Sequence, residues 1–162
     1  GLVTVPWAVL FLLQWIKSRL LEGERLQKPP VFCPRPRELF RTDARATETE
    51  AWIGGWETFF GFNTEECRWF SLEVRPSWAP WLFARKDPKR VIAALELLAT
   101  GVGVIAFADR WPGTVHGEAV FSAATDNQGN ALAMRKGMST KFPLTLLIIE
   151  LSEQLKSRQL QM

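Results

Sequence analysis

The sequence predicts an α/β domain: a mixed sheet of three antiparallel strands and a parallel fourth, with covering helices, preceded by an N-terminal helix. Three observations predict it. Strand-like segments at residues 38–46, 51–57 and 68–74 follow one another, the first two joined by a short polar turn, as in an antiparallel meander. A helix-length apolar run begins at residue 87 and is followed by a fourth strand-like stretch at 114–125. A helical crossover of that length permits the fourth strand to lie parallel to the first.

Each element has its own local reason. Pro6 suits the first turn of a helix that runs to about Leu21, nearly encircled by apolar residues at first and polar on one side from Lys17 onward. Lys28-Pro29-Pro30 and Cys33-Pro34-Arg35-Pro36 form a stiff, extended linker, so the domain boundary is expected near residue 36: residues 1–36, then 37–162. Glu38 to Ala46 is the first strand, Thr47-Glu48-Thr49-Glu50 a polar turn, and Ala51 to Glu57 the second strand. Within it, Gly54-Gly55 marks a bulge or a close backbone approach. Phe59 to Glu66 is a loop and Arg68 to Val74 the third strand. The Trp- and Pro-bearing stretch from Pro76 to Lys86 reads as a packed loop. Asp87-Pro88 then opens a helix, with Asp as N-cap and Pro at the first position, running to about Thr100 with Gly101 and Gly103 weakening its tail. Thr114 to Thr125 is the fourth strand, Ala131 to Lys136 a short helix, and Phe142 to Arg158 a longer one with Leu144, Leu147, Ile148, Leu151 and Leu155 on one face. Another strand could begin near Met162.

Composition narrows the chemistry. A chain of 162 residues with 47% hydrophobic content is enough for one main domain with a real core, which excludes a disordered chain. His116 stands alone, which argues against a zinc site or a His-based triad. Cys33 and Cys67 lack metal spacing and suggest no disulfide framework, so a reducing, intracellular compartment is expected, cytoplasmic or nuclear. The stretch Leu2–Ile16 is shorter than the roughly 18–20 residues of a membrane span, so a buried helix is expected ahead of a membrane anchor. Eight Trp and no Tyr is a skewed aromatic set; Trp fills cores and interfaces, and it also stacks on nucleic-acid bases. The net charge of +3 permits an anionic partner. Its cations cluster near three acidic motifs: Arg41 and Arg45 beside the first, Arg85 to Arg90 before the second, Arg135 to Lys141 after the third.

Those motifs are Phe40-Arg41-Thr42-Asp43-Ala44, Ala94-Leu95-Glu96-Leu97-Leu98-Ala99 and Ala124-Thr125-Asp126-Asn127-Gln128. The first and third place an Asp after an apolar stretch, and the second places a Glu in an apolar helix. Carboxylates on inner faces are costly unless paired or bound to metal. With strand four parallel to strand one, Asp43 and Asp126 would lie on adjacent strands and Glu96 would face them from the covering helix. Three such hard oxygen ligands suit Mg2+ or Mn2+, and two ions about 4 Å apart support in-line phosphodiester hydrolysis.

The wording of Phe-Arg-Thr-Asp-Ala at 40–44, Trp-Ile-Gly-Gly-Trp at 52–56, Leu-Glu-Leu-Leu-Ala at 95–99, Thr-Asp-Asn-Gln-Gly-Asn at 125–130 and Met-Ser-Thr-Lys-Phe-Pro-Leu at 138–144 resembles the ribonuclease H domain of eukaryotic retrotransposon reverse transcriptases, over about residues 38–160. The resemblance implies a ribonuclease H-like fold that cleaves the RNA strand of an RNA–DNA hybrid within a reverse transcriptase polyprotein. It implies Asp43, Glu96 and Asp126 as catalytic metal ligands. Asn127 and Gln128 would then meet the hybrid's minor groove or 2′-OH groups, and Thr140 and Lys141 a backbone phosphate. The family's fourth acidic residue follows a fifth strand. No residue here takes that role, and a domain lacking its last strand and helix is expected, with an open sheet edge that a protein partner could cover.

Three other readings stand beside it. One is a catalytically inactive domain of the same fold, a structural or interaction subunit of a larger, membrane-associated or soluble, assembly. An integrase-like domain would use Glu150 or Glu153 as its last carboxylate. A membrane-associated subunit would be anchored by Leu2–Ile16.

Overall fold

The computed structural model describes residues 6–21, 37–58, 65–84, 88–107, 119–124, 134, 137, 139 and 141–161. The chain divides into two compact units, Gly1–Pro34 and Arg35–Met162.

In the first unit, helix α1 spans Trp7–Leu21. The Pro6 carbonyl accepts from the amides of Val9 and Leu10, and Trp7 stacks on Phe11 with ring centroids 5.7 Å apart. Trp7, Leu10, Leu13, Leu20 and Leu21 are exposed. Among the described residues, no helix is long and apolar enough to cross a membrane.

The second unit is mixed α/β. Its three-stranded antiparallel sheet runs β1 (Arg37–Ala46), β2 (Ala51–Glu57) and β3 (Trp69–Glu73). Helices α2 (Pro80–Phe83), α3 (Ile92–Phe107) and α4 (Leu144–Ser157) join it. Strand β4 (Ala119–Ala124) pairs with β1 in parallel, from Arg37↔Phe121 to Arg41↔Ala124, with a register shift between Glu38 and Phe40. A two-residue strand β5 (Leu160–Gln161) pairs in parallel on the far side of β4, giving the order β3-β2-β1-β4-β5. The sequence left that edge of β4 open, and β5 covers it over Ala119 and Val120. The hairpin between β1 and β2 closes where the sequence placed its polar turn. There the Thr47 amide donates to the Glu50 carbonyl (2.8 Å), and the Thr47 hydroxyl accepts from the Glu50 amide (3.0 Å).

Burial alternates along β2, with Ala51, Ile53, Gly55 and Glu57 buried and Trp52 and Trp56 exposed. Directly paired residues of an antiparallel ladder share a face. Thr42 therefore goes with Gly55 and Ala44 with Ile53, on the side that α3 covers. Helix α3 is apolar nearly all round because it lies between the sheet and α4. Leu97, Val104 and Phe107 join Phe40, Ile148 and Leu151 in one core cluster. Leu95 and Ala99 join Ile53, Val74 and Leu82 in another.

Two helices differ from expectation. A 3-10 turn, Pro88–Val91, precedes α3, and the helix then runs through Gly101 and Gly103 to Phe107. Gly103 is retained because the sheet comes so near: a Cβ there would stand 2.8 Å from the Phe40 ring and 3.1 Å from the Thr42 methyl. The stretch expected as a loop contains α2, a single turn begun by Pro80 whose Leu82 plugs the second cluster. The short helix expected at Ala131–Lys136 lies outside the described residues apart from Met134.

Candidate functional site

The face of β1–β3 turned away from α3 carries most of the sheet's exposed chemistry. By the same pairing rule it presents three rows across the strands: Arg41↔Trp56↔Trp69, Asp43↔Gly54↔Ser71 and Arg45↔Trp52↔Glu73. The tryptophans are open to solvent: Trp69 is 73% exposed, Trp56 44% and Trp52 40%. The middle row has only small or short side chains, and Gly54 has none, so the rows enclose a hollow of about 280 Å³. Asp43, Ser71, Trp52, Trp56 and Trp69 are among the residues that line it.

Asp43 is exposed on the central strand, and its Oδ1 accepts from the Ala44 amide (2.8 Å). A cost of desolvation therefore does not single out this carboxylate, contrary to the reasoning from sequence. The buried acid of the sheet is Glu57, 2% exposed, which that reasoning passed over. Arg68 Nη2 donates to Glu57 Oε1 (2.5 Å) and to the Phe107 carbonyl (3.2 Å), and its guanidinium lies 5.5 Å from the centre of the Phe107 ring. The Arg68 amide donates to Glu57 Oε2 (3.2 Å), and the Cys67 thiol to the Glu57 carbonyl (2.6 Å). This is a paired, hydrogen-bonded carboxylate with a structural role. Its sequence signal was present: Glu57 continues the buried series Ala51, Ile53, Gly55 at period two.

Glu96 is half-buried on α3, one turn before Thr100. The Thr100 hydroxyl donates to the Glu96 carbonyl (3.1 Å) and shares a 3.3 Å hydrogen bond with the Thr42 hydroxyl. Glu96 thus belongs to the helix that covers the side of β1 bearing Thr42, whereas Asp43 lines the hollow on the other side. Asp126, Asn127, Gln128 and Thr140 lie outside the described residues. Among the described residues, no group of three or more His, Cys, Asp or Glu is placed to hold a metal ion. Lys141 is exposed just before α4; its amide donates to Ser139 Oγ (3.2 Å), and its carbonyl accepts from the Thr145 amide (3.1 Å).

The two arginines of the open face differ. Arg41 Nε donates to Glu38 Oε1 (2.6 Å), and this hydrogen bond and the Glu38 charge hold the guanidinium above its ordinary pKa. Arg45 makes no ion pair among the described residues. No sequence motif marks Trp52, Trp56 or Trp69 as functional, although the spacing of Trp52 and Trp56 puts both on the face opposite Ile53.

The chain matches no family model, no curated protein and no solved structure.

Proposed function

We infer that the second unit is a ribonuclease H-like, Mg2+- or Mn2+-dependent endonuclease domain that cleaves the RNA strand of RNA–DNA hybrids. One observation carries the reading. The last register pair between the parallel strands is Arg41↔Ala124, and Asp43 and Asp126 each follow it by two residues in sequence. Adjacent parallel strands with an Asp at the same step past their shared register are suited to bring two carboxylates together at one end of the sheet. Glu96 enters this reading through its Leu-Glu-Leu-Leu-Ala motif alone, because α3 packs on the side of β1 away from Asp43.

In this reading Asp43, Glu96 and Asp126 would hold the metal, and the chemistry it would supply is activation of a water and stabilisation of charge on the transferring phosphoryl group. Asn127 and Gln128 contact the hybrid's minor groove, and Thr140 and Lys141 a backbone phosphate. The test is cleavage of a labelled RNA–DNA hybrid with and without Mg2+, wild type beside Asp43→Asn. The expected outcome is metal-dependent cleavage that falls by at least a hundredfold in the variant. Asp43 is exposed, and an Asn Oδ1 can still accept from the Ala44 amide, so unfolding should move by less than about 0.5 kcal/mol. A folded wild-type chain that cleaves no hybrid in Mg2+ or Mn2+ would refute the reading.

The exposed tryptophans favour a second reading, a catalytically inactive domain that serves as an interaction subunit. It predicts the same fold with no dependence on metal.

A further inference from the structure

We propose that the open face of β1–β3 is a docking surface for single-stranded nucleic acid, with unpaired bases stacked on Trp52 and on Trp56 with Trp69, and phosphates set against Arg45 and Arg41. This goes beyond cleavage of a paired hybrid, because the occupant is a strand whose bases are available to stack.

The pairing register makes the case. In each outer row, an arginine on β1 is the register partner of a tryptophan on β2: Arg41 of Trp56 and Arg45 of Trp52. The two rows are four residues apart on both strands, about 13 Å at the rise of a β-strand. The Arg45 row thus offers a cation with no ion pair among the described residues beside a stacking plane, the chemistry of one nucleotide, while in the Arg41 row a phosphate competes with Glu38 Oε1, 2.6 Å from Arg41 Nε, for the guanidinium. Between the rows, Gly54 and Ser71 leave the floor low, and the Asp43 carboxylate repels phosphate from the centre toward the two rims. The opposing acid at the edge is engaged, since Arg75 Nε donates to Glu73 Oε2 (3.2 Å). Charge and shape together distinguish this face from a plain apolar patch. An aromatic wall alone would serve a second copy of the chain, but Arg45, which makes no ion pair among the described residues, sets a cation beside Trp52 that complements a phosphate.

The binding needs no metal and no scissile bond, so it is measured in EDTA, where it stands or falls separately from the nuclease. The assay is fluorescence anisotropy of a labelled 12-nucleotide single-stranded RNA titrated with the whole chain. Trp52→Ala and Trp56→Ala are each expected to weaken binding about tenfold, the typical loss of one base-stacking contact. Trp56→Phe should keep most of the affinity, which separates lost stacking from a damaged fold. Arg45→Ala should weaken binding and lower the slope of log affinity against log salt by about one. Trp78→Ala, an exposed indole in the turn after β3, should change nothing. The proposal is overturned if the RNA does not bind, if Trp78→Ala costs as much as Trp56→Ala, or if binding ignores the tryptophans and follows charge alone. It is also overturned if sedimentation shows a dimer that Trp56→Ala dissociates, since the face would then belong to a second copy.

Discussion

Gly101 and Gly103 lie on the same helix and invite the same substitution, yet the structure predicts opposite outcomes. Alanine favours a helix interior over glycine by about 0.8–1 kcal/mol, a gain common to both sites. At Gly101 a Cβ would meet nothing within 4 Å, so Gly101→Ala should stabilise the domain by roughly 0.5–1 kcal/mol. At Gly103 the new methyl would stand 2.8 Å and 3.0 Å from two atoms of the Phe40 ring and 3.1 Å from the Thr42 methyl. Phe40 is fully buried, and its ring lies 5.9 Å, centre to centre, from that of Phe107, so it cannot swing aside. Overpacking of such a core costs about 1–3 kcal/mol, which offsets or exceeds the helix gain. The difference between the two variants cancels the propensity and should equal the overpacking, about 1–3 kcal/mol in favour of Gly101→Ala. Urea unfolding, followed by far-UV circular dichroism and Trp fluorescence, reads it directly. Thermal midpoints should separate by several degrees, roughly 3–5 °C per kcal/mol for a unit of this size. If both variants are stabilised equally, the close approach of α3 to β1 is wrong.

Other outcomes follow from the same packing. Glu57→Gln should destabilise the fold by about 3 kcal/mol in chemical denaturation, because it leaves the Arg68 guanidinium beside Phe107 without its buried counter-charge. Replacing both Glu57 and Arg68 by Met should recover much of that loss; an undiminished loss would mean that the pair contributes more than its own desolvation. Thr100→Val should cost about 1 kcal/mol by removing the partner of the Thr42 hydroxyl, and adding Thr42→Val should return most of it. Asp43→Asn, which should abolish hybrid cleavage, should leave the unfolding midpoint unmoved.

Much of the fold was legible because it is written in local periodicity. Leu144, Leu147, Ile148, Leu151 and Leu155 fall on one face at helical spacing, and in the structure they belong to one core cluster or pack against it. The β1–β2 hairpin follows from the Thr-Glu-Thr-Glu turn, whose first hydroxyl supplies the local hydrogen bonds. Local preference gives way where a distant contact overrules it. Gly101 and Gly103 look like a helix end, but the helix continues because burial of Val104 and Phe107 against Phe40 outweighs the glycine penalty. Pro76 to Phe83 looks like a loop, yet one helical turn forms where Leu82 finds a buried site. Strand β5 is too short to show periodicity at all. Of the candidate site, the sequence singled out Asp43, which does lie exposed on the central strand, but gave it the wrong physical reason. It gave no role to Glu57, whose paired burial depends on Arg68, eleven residues away.

The sequence by itself determined the order and type of the main elements of the second unit, since strand and helix periods are properties of a few consecutive residues. Which face of the sheet is covered was decided only in three dimensions. Alternation divides β2 into Trp52 and Trp56 on one side and Ala51, Ile53 and Gly55 on the other, and hydrophobicity alone would bury the tryptophans. A helix packs closely only where side chains are small. At Gly103 a Cβ on the helix would stand 2.8 Å from the Phe40 ring and 3.1 Å from the Thr42 methyl, and at Gly55 the missing side chain makes room on the same face for the sheet's own Phe70 ring, 2.7 Å from where a Cβ would stand. The small-residue face therefore received α3, and the indoles, too bulky for that approach, were left with Arg41, Asp43 and Arg45 on the open side.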